Sequence, residues 1–178
     1  FTSYARNGDD PGQLVVIDVT DPKNPKRLKK IDGPADNDMG QVSLHGDLLI
    51  TSMARQLTVY DTTHAINFMA EYQPEQIPAN KSHNEGIKLW DVSNPEDPKE
   101  ISHWETGAIG THRNVYPGGK YAFLSASAPG YRGMILVILD VSDPKNPKKV
   151  GQWAQFGQKP GEERQDGLIP SFHGPAML

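Results

Sequence analysis

Six histidines, His45, His64, His83, His103, His112 and His173, are the side chains of this chain best suited to hold a metal ion. There is no cysteine, which excludes disulfides, thiolate chemistry and Cys-ligated zinc. Imidazole nitrogens converging from neighbouring strands would take a borderline divalent ion: Zn, Fe, Cu or Mn. His112 and His173 suit that role, because each opens a similar segment, THRNVY and SFHGPAML, and 61 residues separate them. Two imidazoles do not complete a protein metal site, so other ligands would have to come from elsewhere. The alternative is a pair of channel histidines that only hydrogen-bond. Arg113 follows His112, and on a regular strand it would point to the opposite face, where it could pair with a repeat aspartate. His83 and Glu85, two residues apart in SHNEG, would face one ligand if that stretch is extended; a solvated polar loop is the plainer reading. Asp18, Asp91 and Asp140 recur at one position of a repeated motif. Catalytic carboxylate pairs must lie within several ångströms of each other, whereas one aspartate per repeat unit is spread out, so these read as turn caps. No catalytic residue and no bound organic cofactor follow from the sequence.

The elements that would position these residues come from an internal repeat. LVVIDVTDPKNPKRL at 14–28, IKLWDVSNPEDPKEI at 87–101 and LVILDVSDPKNPKKV at 136–150 share one pattern. An apolar run ends in Asp-Val, then come Ser or Thr, Asp or Asn, and two prolines three residues apart. The β-branched run favours a strand, and the prolines exclude a helix or a central strand through the connection. Each unit therefore reads as strand, proline-pinned turn, outer strand. Asp91 and Asp140 are 49 residues apart, the length of a four-stranded blade of about 40–50 residues. Asp18 and Asp91 are 73 apart, and residues 57–80 account for most of the excess as an insertion. Before the third copy, THRNVY, the turn Pro117-Gly118-Gly119 and KYAFLSA read as a hairpin. QVSLH, Gly46-Asp47 and LLITSM read the same way before the second. The strands of the last unit are expected at 111–116, 120–127, 134–141 and 148–155.

The fold expected from this is all-β: a β-propeller of four-stranded antiparallel blades over residues 1–178, with about three blades present as part of a larger ring. The remaining blades would belong to the same propeller or come from another chain. The composition agrees with a turn-rich fold, with 17 glycines and 15 prolines in 178 residues. A net charge of −4 and the lack of a basic cluster argue against nucleic acid as a partner. No apolar run is long enough for a membrane-spanning helix.

The recurring LVVIDVTDP, IKLWDVSNP and LVILDVSDP resemble the LVIVD repeat family, as does THRNVYPGGKYAFLSA followed by GYRG and LVILDVSDPKNPKKVG. The resemblance implies a β-propeller and an extracytoplasmic location, periplasmic or secreted, and it leaves activity open. The leading functional expectation is a non-catalytic scaffold or protein-binding module. One alternative is a metal-dependent oxidoreductase or lyase with its ion on the axis near His112 and His173. Another is a propeller that binds a small ligand or a carbohydrate.

Overall fold

The computed structural model describes residues 1–4, 12–34, 37–55, 84–162, 166–167 and 170–175. The expected insertion at 57–80 lies outside these residues, as does His83. Eleven strands are described: β1 (Thr2–Tyr4), β2 (Gln13–Asp18), β3 (Lys26–Asp32), β4 (Asn37–His45), β5 (Leu48–Arg55), β6 (Gly86–Asp91), β7 (Lys99–Trp104), β8 (Thr111–Val115), β9 (Tyr121–Ala126), β10 (Ile135–Asp140) and β11 (Lys148–Trp153). They form three antiparallel sheets in the orders β1-β2-β3, β4-β5-β6-β7 and β8-β9-β10-β11. The architecture is all-β, with the four-stranded antiparallel sheet as its repeating unit. The four strands expected in the last unit are all present, trimmed by up to two residues at their ends.

The three motif copies become the last two strands of each sheet and the proline turn between them. In each turn the aspartate that ends the strand caps the backbone two residues on: Asp18 Oδ1 accepts from Thr20 N at 2.9 Å, Asp91 from Ser93 N at 2.9 Å and Asp140 from Ser142 N at 3.0 Å. A second cap follows, with Asp21, Asn94 and Asp143 accepting from the amides of Lys23, Glu96 and Lys145. These bonds satisfy backbone donors that the prolines leave without a ladder partner. Each outer strand also carries a bulge at the same place, opposite Val16/Ile17, Leu89/Trp90 and Ile138/Leu139. One extra residue is accommodated there in each copy, namely Leu28, Ile101 and Val150.

The sheets stack face to face through alternating rows of apolar side chains. Between the first and second sheets, Leu14 packs with Met39, Leu49, Met53, Trp90 and Val92. Between the second and third, Ile50, Ile87 and Leu89 pack with Leu124, Val137, Leu139 and Val141. Burying a side chain of this size contributes roughly 1.5–3 kcal/mol, so these two layers are the main source of cohesion. Trp90 is 5 % exposed, and its indole N–H donates to Thr51 Oγ1 at 3.1 Å, satisfying its one polar atom. Where the third sheet begins, Ala54 and Gly110 form an antiparallel bridge between neighbouring sheets. Gly110 has φ 121°, and a Cβ there would collide with the Met53 carbonyl, so this close approach requires glycine.

The two outermost faces of the stack are apolar too. Aligning the repeats places Tyr121, Phe123, Leu136, Ile138, Val150 and Trp153 at the positions of Leu48, Ile50, Ile87, Leu89, Ile101 and Trp104. In the second sheet Ile50, Ile87 and Leu89 are at most 1 % exposed beneath the third sheet. In the third sheet Tyr121, Val150 and Trp153 are 40 %, 55 % and 53 % exposed. The reverse holds at the other end, where Ile17 and Val19 are 36 % and 63 % exposed while their counterparts Trp90, Val92, Leu139 and Val141 are buried. Trp153 is thus exposed where its counterpart Trp104 is partly buried against the core.

Candidate functional site

His112, Arg113 and His173 are brought together at the edge of the third sheet. His112 and Arg113 lie on β8, and His173 lies in the 170–175 segment that runs beside it. That segment is fixed by the Phe172 amide donating to the Met134 carbonyl at 2.8 Å and by Ser125 Oγ donating to the Phe172 carbonyl at 2.6 Å. Gly174 allows the approach, because a Cβ there would stand 2.9 Å from the Arg113 Cβ.

The expectation that Arg113 points away from His112 is corrected by the register of β8. Thr111 pairs with Ala126 and Asn114 with Leu124, so two residues on β8 oppose one on β9. This β-bulge breaks the alternation of side chains. Thr111 and Asn114 are buried while His112 and Arg113 are both exposed. The contact is instead with a histidine: Arg113 Nε donates to His173 Nε2 at 3.2 Å. His112 Nε2 and His173 Nε2 are 3.1 Å apart, with ring centroids 5.0 Å apart and planes inclined by 31°. Partial burial, followed by the nearby His173 and Arg113, pushes the His112 imidazole below the ordinary histidine range. The equivalent of His112 on β4 is Gly40, where a Cβ would meet Ser52 Oγ at 2.5 Å. The neighbouring sheet therefore has no imidazole at the equivalent position.

The 3.1 Å nitrogen separation would fit two ligands about 2.0–2.1 Å from one ion. The lone pair of His173 Nε2, however, already accepts from Arg113. Among the described residues no group of three His, Cys, Asp or Glu side chains is arranged to hold a metal.

Glu85 has a different environment from the solvated loop expected of SHNEG. It is 1 % exposed, and its oxygens accept from Thr106 N at 2.9 Å, Thr106 Oγ1 at 2.6 Å and Gly107 N at 2.8 Å. The carboxylate is a buried anchor for the 105–107 loop. His103 Nε2 is 2.8 Å from the Glu85 carbonyl, and His45 packs edge-on against Tyr116 at 6.1 Å. Asp18, Asp91 and Asp140 stand one per sheet in their turns.

Sequence reasoning missed a lock built on Arg132 in the PGYRG loop. Its Nη2 donates to the carbonyls of Gly157, Lys159 and Glu162 at 2.8, 3.3 and 3.0 Å. Gln158 is fully buried and donates to the Arg132 and Met134 carbonyls at 3.1 and 2.6 Å. The 157–162 stretch is thus pinned against the third sheet, with Gly157 and Gln158 buried and Phe156, Lys159, Pro160 and Gly161 exposed. The fold-back leaves a groove of about 430 Å³ lined by Tyr131, Gln152, Trp153, Phe156, Lys159 and Glu162, among others. An arginine flanked by glycines in a hairpin loop was the available signal, but its acceptors are backbone atoms and carry no sequence signature.

Residues 110–154, which span the whole third sheet, match the family model of the LVIVD repeat. No curated protein matches the chain. No helix among the described residues is long and apolar enough to cross a membrane.

Proposed function

We propose that these sheets are blades of a β-propeller that acts as a non-catalytic scaffold, engaging protein partners through its apolar sheet faces and closing into a ring with further blades of the same repeat. The observation that carries this reading is the pair of outer faces. Leu136, Ile138, Val150 and Trp153 at one end, and Ile17 and Val19 at the other, repeat the rows that bury each other between the sheets inside the stack. A face of that kind is complementary to another sheet of this repeat, because each unit buries its core against its neighbours. For this chain on its own, a second copy is such a sheet.

Sedimentation velocity on the wild-type chain, Ile138→Asp and Ile17→Asp tests the reading. Wild type should associate with rising concentration, and each variant should weaken that association while keeping its β-sheet circular dichroism. A wild-type chain that stays monomeric at high concentration would overturn it.

A second reading, a propeller that binds a carbohydrate or small ligand, draws on the groove beside β11. Exposed Trp153 and Phe156 offer stacking surfaces there, and Gln152, Lys159 and Glu162 offer polar contacts. The two readings compete for Trp153, which a neighbouring sheet would cover. Quenching of Trp153 fluorescence by soluble oligosaccharides, lost in Trp153→Phe, would favour the groove. An extracytoplasmic location is part of the proposal and is supported by the LVIVD repeat resemblance alone.

A further inference from the structure

We infer that His112, Arg113 and His173 form an oxyanion site that takes a phosphate or carboxylate group of a small molecule. The hydrogen-bond arrangement carries the argument. Arg113 Nε donates to His173 Nε2, so that nitrogen presents its lone pair. His112 Nε2 lies 3.1 Å from the same nitrogen, which assigns the intervening proton to His112. Two donors therefore crowd one lone pair. The terminal nitrogens of Arg113 have no acceptor among the described residues. Among the described residues this guanidinium has no carboxylate partner. A planar fork of that kind binds a carboxylate or phosphate through two parallel bonds. An incoming oxyanion would accept from that fork and from the His112 N–H, relieving the shared lone pair.

Two features of the backbone build the arrangement. The β8 bulge turns His112 and Arg113 to one side. Gly174 admits the His173 segment against Arg113. The site involves neither outer sheet face, so it stands independently of the scaffold reading.

Histidine ring resonances followed by heteronuclear NMR give the test, with inorganic phosphate and acetate titrated separately at fixed pH and ionic strength. Saturable shifts confined to His112 and His173 are expected, and the tighter of the two anions identifies the group preferred. Arg113→Gln should weaken binding about tenfold or more, from the loss of a charge-assisted fork. Arg113→Lys, which keeps the charge and loses the fork, should fall between. An unchanged melting temperature in these exposed variants establishes that the fold is intact. The inference is overturned if neither anion gives saturable shifts, or if Arg113→Gln binds as wild type does. It is equally overturned if zinc alone saturates the two rings while phosphate and acetate leave them unmoved.

Discussion

Ser102 on β7 donates from its hydroxyl to the carbonyl of Pro144, 2.6 Å away in the proline turn of the next sheet. The same position one repeat earlier is Lys29 on β3, whose ammonium lies 3.3 Å from Asp97 in the turn of the second sheet. The outer strand of one sheet thus reaches the turn of the next in both places, through a neutral bond in one and an exposed ion pair in the other. Ser102→Ala should cost about 0.5–1.5 kcal/mol, the net value of one hydrogen bond, read from denaturant unfolding. Lys29→Ala should cost clearly less than Ser102→Ala, because that pair is exposed and screened.

The layer between the second and third sheets should be sensitive to truncation. Leu89 is fully buried and makes part of the cluster with Leu124, Val137 and Leu139. Leu89→Ala should destabilise by about 2–5 kcal/mol, through lost burial and the cavity left behind. Its repeat counterpart Ile138 is only partly buried, so Ile138→Ala should cost clearly less in the monomeric chain. Thermal melts of the two variants provide the comparison.

Glu85 holds the 105–107 loop through three bonds to one carboxylate. Glu85→Gln keeps the shape but sets an amide N–H against a donor. It should destabilise by about 1–3 kcal/mol, the cost of a buried donor left unsatisfied. Amide hydrogen exchange at Thr106 and Gly107 should rise more than exchange in β9 or β10, which do not depend on the anchor.

The proline turns should make stability fall in acid. Hydrogen bonds from Thr20 lower the Asp18 pKa, from Asn24 that of Asp21, from Ser93 that of Asp91 and from Ser142 that of Asp140. Asn146 lowers Asp143, while Lys99 and Lys29 lower Asp97. A carboxyl depressed in the folded state contributes stability that is present above its unfolded value, about 3.9. That contribution is lost as pH falls through the lower folded values. The melting temperature should therefore hold steady down to about pH 5 and drop below about pH 4. Asp140→Asn should flatten part of the drop, since the amide oxygen keeps a cap but does not titrate.

The repeat made the sheets legible because its signal is local: β-branched runs, paired prolines and an aspartate at a fixed offset. Period and turn chemistry agreed, so β6, β7, β10 and β11 follow from the motif almost residue by residue. The bulge on β4 at Gly40 and Gln41 falls at the same place as that on β8 at His112 and Arg113. Arg113 was misplaced because a bulge is a property of strand pairing and leaves no mark in THRNVY. Glu85 was hidden for a related reason. SHNEG reads as polar loop, and the donors that bury its carboxylate come from 106–107, about twenty residues on. The similar placement of His112 and His173 was legible as equivalence of position, whereas the guanidinium bonded to His173 was not.

The proposed fit of the outer faces to another sheet of the same repeat can be tested directly, because the chain has no cysteine. Ile17→Cys and Ile138→Cys chains would be purified separately, mixed, oxidised gently and analysed for disulfide-linked dimers. Burial of the counterparts Trp90 and Leu139 against the preceding sheet predicts that the mixture gives a mixed dimer in excess of either chain alone. Dimers no more abundant in the mixture than in the separate chains, or none at all, would contradict the account.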